Sequence, residues 1–107
     1  MKKFADYLNE MARNVIPAPT KKLIMNAITP PQFQQYWDKP GSAITHIAEL
    51  LGNYNIEIVE TISFNDSLES YRQRYNLTLN GQDVNNMLIF SWYKMPSGKY
   101  EITAYIS

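Results

Sequence analysis

No cysteine occurs in the 107 residues of this chain. That excludes a disulfide framework, a thiolate metal site and a cysteine nucleophile. No apolar run is long enough to cross a membrane as a helix. The opening stretch MKKFADYLNEMARN lacks the continuous apolar core of a signal peptide. These readings lead us to expect a cytoplasmic protein with no membrane contact. Excess charge is also missing, because ten basic residues balance ten acidic ones. Nucleic-acid-binding domains usually carry a basic excess or stripe, so neutrality leaves room only for a local patch. It also argues against a highly acidic DNA mimic.

Glycine is scarce, and Gly41, Gly52, Gly81 and Gly98 all fall where elements are expected to break. There is no Gly-rich strand-to-helix turn and no Gly-Lys-Ser/Thr run, so no phosphate loop is expected. The single histidine, His46, has no helical partner at metal-ligand spacing. Ser42 and Glu49 lie within a turn of it, too local to build a catalytic triad with an oxyanion hole. Carboxylates form no recognisable acid/base pair: Glu57 and Glu60 share a strand, and Asp66, Glu69 and Asp83 fall in loops. Asp83 with Asn85 and Asn86 lacks the remaining oxygen ligands of a calcium loop. We therefore expect no catalytic residues, no metal and no cofactor, and a protein that is not an enzyme.

What the chain has in quantity is aromatic side chains, with eight Tyr, four Phe and two Trp. Five of these fourteen fall in Met87 to Ser107, MLIFSWYKMPSGKYEITAYIS. Residues 88–95 and 99–106 are rich in β-branched and aromatic types and read as two strands. Pro96 presets φ for a turn, and Gly98 can take the left-handed conformation that closes a bulged loop. Register follows from side-chain chemistry. A four-residue loop would oppose Lys94 to Lys99 and Trp92 to Glu101. A three-residue loop, Pro96 to Gly98, opposes Met95 to Lys99 and Trp92 to Ile102. Leu88, Phe90 and Trp92 then share a face with Ile106, Ala104 and Ile102. A slip of one residue inverts every facing, so the three-residue loop is the expected one.

Upstream, the apolar period is helical over residues 3–14, with Phe4, Tyr7, Leu8, Met11 and Ala12 on one face. Pro17 and Pro19 stop that run. Thr20 is placed to cap a second helix over 21–28, and Thr29-Pro30-Pro31 to open a third piece from Gln32 to Trp37. Ser42 can cap a fourth helix over 43–51, which Gly52 or Asn53 would end in the left-handed conformation. From Tyr54 the period changes to two. Ile56, Ile58, Ile62 and Phe64 share a side on which Glu60 also falls, so a bulge or an edge position is expected there. Asn65-Asp66-Ser67 reads as a turn. A strand follows from near Arg72 to Leu79, then a polar loop over 80–86 with Asn80-Gly81 as its turn signal, then the hairpin.

Helices first and strands second predict an α+β fold. Short helices at the N-terminus should pack on one face of a four-stranded antiparallel meander that ends in the C-terminal hairpin. At this length the chain forms one domain, 1–107, large enough to bury a core without a disulfide or metal.

The other face of the hairpin carries more apolar surface than a solvated face requires. Ile89, Tyr93, Met95 and Tyr105, rimmed by Arg72, Arg74, Lys99 and Glu101, form an aromatic and methionine centre with a charged border. We read this as a partner-binding patch for another protein, with closure of a homodimer or cover by the N-terminal helices as the competing readings. The run Tyr71-Arg72-Gln73-Arg74-Tyr75 supports a second reading, nucleic-acid binding through Arg72, Arg74, Tyr93, Lys94 and Lys99. On a strand, however, the arginines and tyrosines point to opposite faces. A helix-turn-helix fits less well, since SAITHIAELLGN carries no Arg or Lys. The expected function is a small protein-binding regulator or inhibitor, of a kind that phages and mobile elements also encode.

Overall fold

The structure, a computed structural model, describes residues 15–63 and 67–107. The helix expected over 3–14 and the Asn65-Asp66 part of the expected turn lie outside the described residues. The elements are α1 (Ala18–Ala27), β1 (Tyr36–Trp37), α2 (Pro40–Gly52), β2 (Ile56–Ile58), β3 (Ser70–Leu79), β4 (Gln82–Lys94) and β5 (Tyr100–Ile106). The class is α+β as expected. The five strands form one antiparallel sheet in the order β1-β5-β4-β3-β2. β2 to β5 make the expected meander, and β1 is the additional strand, at the far edge against β5.

Both helices begin earlier than their Thr and Ser signals suggest. α1 starts at Ala18 with Pro17 as its cap residue, and α2 starts at Pro40 with Lys39 as its cap residue. Neither has a side-chain cap. Proline in the first turn sacrifices no intrahelical bond, because the first N–H groups have no partner in any case, and its fixed φ suits the helix. Pro17 and Pro19 therefore open a helix as well as closing the stretch before them. At the far end of α2, Asn53 remains right-handed. The left-handed residue is Asn55, with φ 60°.

Residues Gln32–Trp37 do not form the expected helical piece. Phe33 is buried, and the chain then extends into β1, where Tyr36 pairs with Glu101 and Trp37 with Tyr100. Ile102 N–H also donates to Gln35 O, 2.9 Å. A free edge of β5 thus recruits a segment whose local preference was ambiguous, and edge hydrogen bonding decides the outcome.

β2 is shorter than the alternating pattern over 54–64 suggests, ending at Ile58. Glu60, the residue that broke the pattern, turns its carboxylate onto Asn76 of β3. It accepts the Asn76 backbone N–H at 2.8 Å and the side-chain Nδ2–H at 2.6 Å. The polar loop expected over 80–86 contracts to a two-residue turn, Asn80-Gly81, with φ 53° and 80°. Two positive φ values in succession are what the twist of a tight hairpin requires, and Asn-Gly accepts them at little cost. The remaining polar letters belong to a bulge. Asn76 pairs with Met87 and Leu77 with Val84, so Asn85 and Asn86 are extra on β4. Two extra residues preserve the alternation, and Val84 and Leu88 both reach the core.

That core lies between the helices and one sheet face. α2 contributes Ala43, Ile44, Ile47 and Leu51, and α1 with its following turn contributes Ile24 and Ile28. The sheet answers with Ile56, Tyr75, Leu77, Leu88, Phe90, Trp92, Ile102 and Ile106, among others. The C-terminal hairpin has the expected register: Trp92 opposes Ile102, Phe90 opposes Ala104 and Leu88 opposes Ile106. Met95 N–H donates to Lys99 O, and Gly98, at φ 89°, donates to Met95 O.

Candidate functional site

Register places the outward-facing side chains in rows across the sheet. One row runs Tyr36, Glu101, Tyr93, Ser70. The next runs Thr103, Ser91, Arg72, and the third Tyr105, Ile89, Arg74. Outer-face residues expected together, Tyr93, Tyr105, Ile89, Arg72 and Arg74, are therefore neighbours on one surface. Met95 and Lys99 lie at its end, in and beside the hairpin loop.

This surface divides into a closed end and an open end. At the closed end Ile89 is only 4% exposed. Arg72 reaches across β4, and its Nη2–H donates to the Tyr105 hydroxyl at 3.0 Å. Arg72 and Tyr105 stand on the two strands flanking β4, so their bond bridges the row that holds Ile89. Ile89 is thereby corrected from a contact residue to a buried one. The alternation of the strand had placed it on the outer face without showing that long neighbours fold over it.

At the open end Tyr93 is 56% exposed and Tyr36 is 42% exposed. Glu101 stands between them in the row, and half-buried Met95 lies beyond. Two shallow grooves meet at Met95. One, about 630 Å³, is lined by Gln34, Gln35, Tyr36, Met95, Ser97 and Lys99. The other, about 400 Å³, is lined by Ser67, Glu69, Tyr93, Lys94, Met95 and Pro96. Tyr36 is the residue sequence reasoning missed. Its signal was alternation in the short run Tyr36-Trp37, which a helical reading of Gln32 to Trp37 concealed.

The charges at this end are partly committed. Lys99 Nζ lies 3.1 Å from Asp38 Oδ1, an exposed pair that contributes little to stability. Lys94 falls in the row of Tyr100 on the inward side, with its Nζ 5.8 Å from the Tyr100 ring centroid. It is therefore not beside Tyr93 on the outer face, as the nucleic-acid reading needed. Arg74 is exposed and makes no side-chain bond among the described residues.

Elsewhere the chemistry is sparse. His46 is exposed on α2 beside an aromatic pair, with ring centroids 5.7 Å from Phe33 and 6.0 Å from Trp37. Among the described residues no group of three His, Asp or Glu side chains converges as a metal set. None of the described helices is long and apolar enough to cross a membrane. No protein-family model matches the chain, and comparison with curated proteins and with solved structures finds no match.

Proposed function

We propose that this chain is a small non-enzymatic protein-binding module, a regulator or inhibitor that engages another protein through the open end of its outer sheet face. The observation that carries the reading is the row Tyr36, Glu101, Tyr93 with Met95 beside Tyr93 at the hairpin end. Two tyrosines at 42% and 56% exposure and a methionine flank two grooves at one corner of the sheet. Tyrosine gives large contact area with few torsions to freeze, and methionine adapts to irregular partners. Exposed tyrosines and a methionine beside the polar groups of Glu101 and Lys99 suit a protein interface, where aromatic residues and methionine are enriched.

Glu101 favours protein over nucleic acid. Its carboxylate stands between the two tyrosines on which bases would stack, and it opposes the approach of phosphates. Counterion release makes nucleic-acid affinity fall steeply with salt, whereas an aromatic-centred interface responds weakly. The test is affinity capture from the native host with wild type and the double variant Tyr36→Ser/Tyr93→Ser, each at low and high salt. A protein captured by wild type at both salts and lost by the variant supports the reading. Capture of nucleic acid that disappears at high salt would replace it. A stable homodimer lost in the variant would make this corner a self-association surface.

A further inference from the structure

β3 is longer than the strand beside it. β2 pairs only with Leu77, Thr78 and Leu79, and Val59 N–H to Asn76 O together with the Glu60 carboxylate extends that cover to Asn76. Along an antiparallel strand, successive residues direct their N–H and C=O to opposite sides. The direction is set here by three bonds: Asn80 N–H and Asn76 O face the β2 side, while Glu69 O accepts Lys94 N–H on the β4 side. Even-numbered residues therefore face away from β4. Ser70, Arg72 and Arg74 direct their backbone groups to an edge with no strand on it among the described residues. Gln73 Nε2–H donates to Arg74 O at 3.2 Å, a side-chain contact that an incoming strand can displace. Arg72, Gln73 and Arg74 are all exposed.

We propose that this open edge of β3 takes up an extended acidic segment of a partner protein by strand addition. The free edge spans five residues, about 17 Å, enough for a short strand. Charge selects the occupant. Arg72 and Arg74 stand in the hydrogen-bonded positions. The Arg72 side chain is held across β4 on the Tyr105 hydroxyl. Arg74, which makes no side-chain bond among the described residues, therefore selects an Asp or Glu directly opposite it, and that residue would donate its own N–H to the edge. A second copy is a poor occupant, because two-fold registers centred on Arg72 or Gln73 set arginine against arginine. Alternate positions of the segment would be apolar. They meet the side of the sheet that carries Tyr71, whose half-buried ring stacks on Trp92. The expected pattern is thus alternation of a carboxylate with a β-branched residue. This proposal shares with the preceding reading the premise that the chain binds protein, but it uses a different surface.

Amide exchange and peptide titration test it on the whole chain. In the free protein the Arg72 and Arg74 amides should exchange about 100-fold faster than those of Gln73 and Tyr75, which face β4. The blocked peptide acetyl-EVEVEVE-amide should slow both arginine amides, and acetyl-KVKVKVK-amide should bind at least about tenfold more weakly. Methylating the glutamate amide nitrogens should remove binding, and Arg74→Glu should reverse the charge preference. Slow arginine exchange in the free protein would overturn the proposal, as would equal binding of the two peptides, undiminished binding after methylation, or no binding of the acidic peptide. Tyr36→Ser/Tyr93→Ser should leave the titration unchanged, so failure of the corner site and failure of the edge are separable.

Discussion

Trp92 is 3% exposed, stacks on Tyr71 with ring centroids 4.3 Å apart, and meets Phe90 and Tyr100 edge-on. Its replacement by alanine should cost about 3–5 kcal/mol in chemical denaturation. A near-silent result would invert the facing of the hairpin. Tyr75 is a different case. Its ring is buried, and its hydroxyl finds no hydrogen-bond partner among the described residues. Burial pushes its pKa from the ordinary 10 up to about 12, with Tyr71 and Glu60 adding in the same direction. Tyr71 does so from close by but outside hydrogen-bond geometry. The folded-state value lies above the unfolded one, so the fold holds the phenolic proton more tightly. That contribution is intact below pH 10 and is lost as pH rises from 10 through 12. Phenolate absorbance during alkaline titration should show one tyrosine ionising late, and Tyr75→Phe should remove that step. Because the buried hydroxyl is unpartnered, the same variant should hold or gain stability by about 1 kcal/mol; a clear loss would reveal a partner.

At the scale of elements, two tight turns and one bulge set the sheet. Gly98 at φ 89° is left-handed with open space where a Cβ would stand. Gly98→Val should therefore destabilise through backbone strain rather than collision, by about 1–3 kcal/mol. Unchanged thermal stability would rule out the bulged loop. The bulge on β4 has its own task. Asn86 accepts the Ile16 N–H at 2.6 Å and donates to Ser107 O at 2.7 Å, joining segments 70 and 21 residues away in sequence. Asn86→Ala should cost about 1–3 kcal/mol, since it strands the partly buried Ile16 N–H. The expected sign is a lower unfolding midpoint together with faster amide exchange at Ile16. The sequence showed Asn85 and Asn86 only as loop-like letters. An even-numbered insertion leaves the apolar alternation intact, so nothing in the pattern betrayed it.

Across the whole molecule, the described helices and the inner sheet face form one core, and no described helix packs on the outer face. Tyr36→Ser/Tyr93→Ser should abolish partner capture while changing the unfolding midpoint little, because both rings are substantially exposed. A collapse in stability would assign the tyrosines to the core instead. The captured complex should survive high salt, as its centre is aromatic and the Lys99–Asp38 pair beside it is already formed and exposed.

The sequence by itself determined the α+β class, the register of the C-terminal hairpin and the Asn80-Gly81 turn. Each rests on local chemistry: period-two alternation, the left-handed tolerance of Asn and Gly, and the cost of opposing Lys94 to Lys99. It also determined which side chains share the outer face, since alternation along a strand leaves no choice. Tertiary structure alone decided which of them are reachable. Ile89 is closed off because Arg72 and Tyr105 come from strands on either side of it. Tyr36 joins the face because an unpaired edge of β5 draws Tyr36-Trp37 into a strand. The open corner exists because these two long-range events occur at opposite ends of one surface, and no local pattern encodes a neighbour that is distant in the chain.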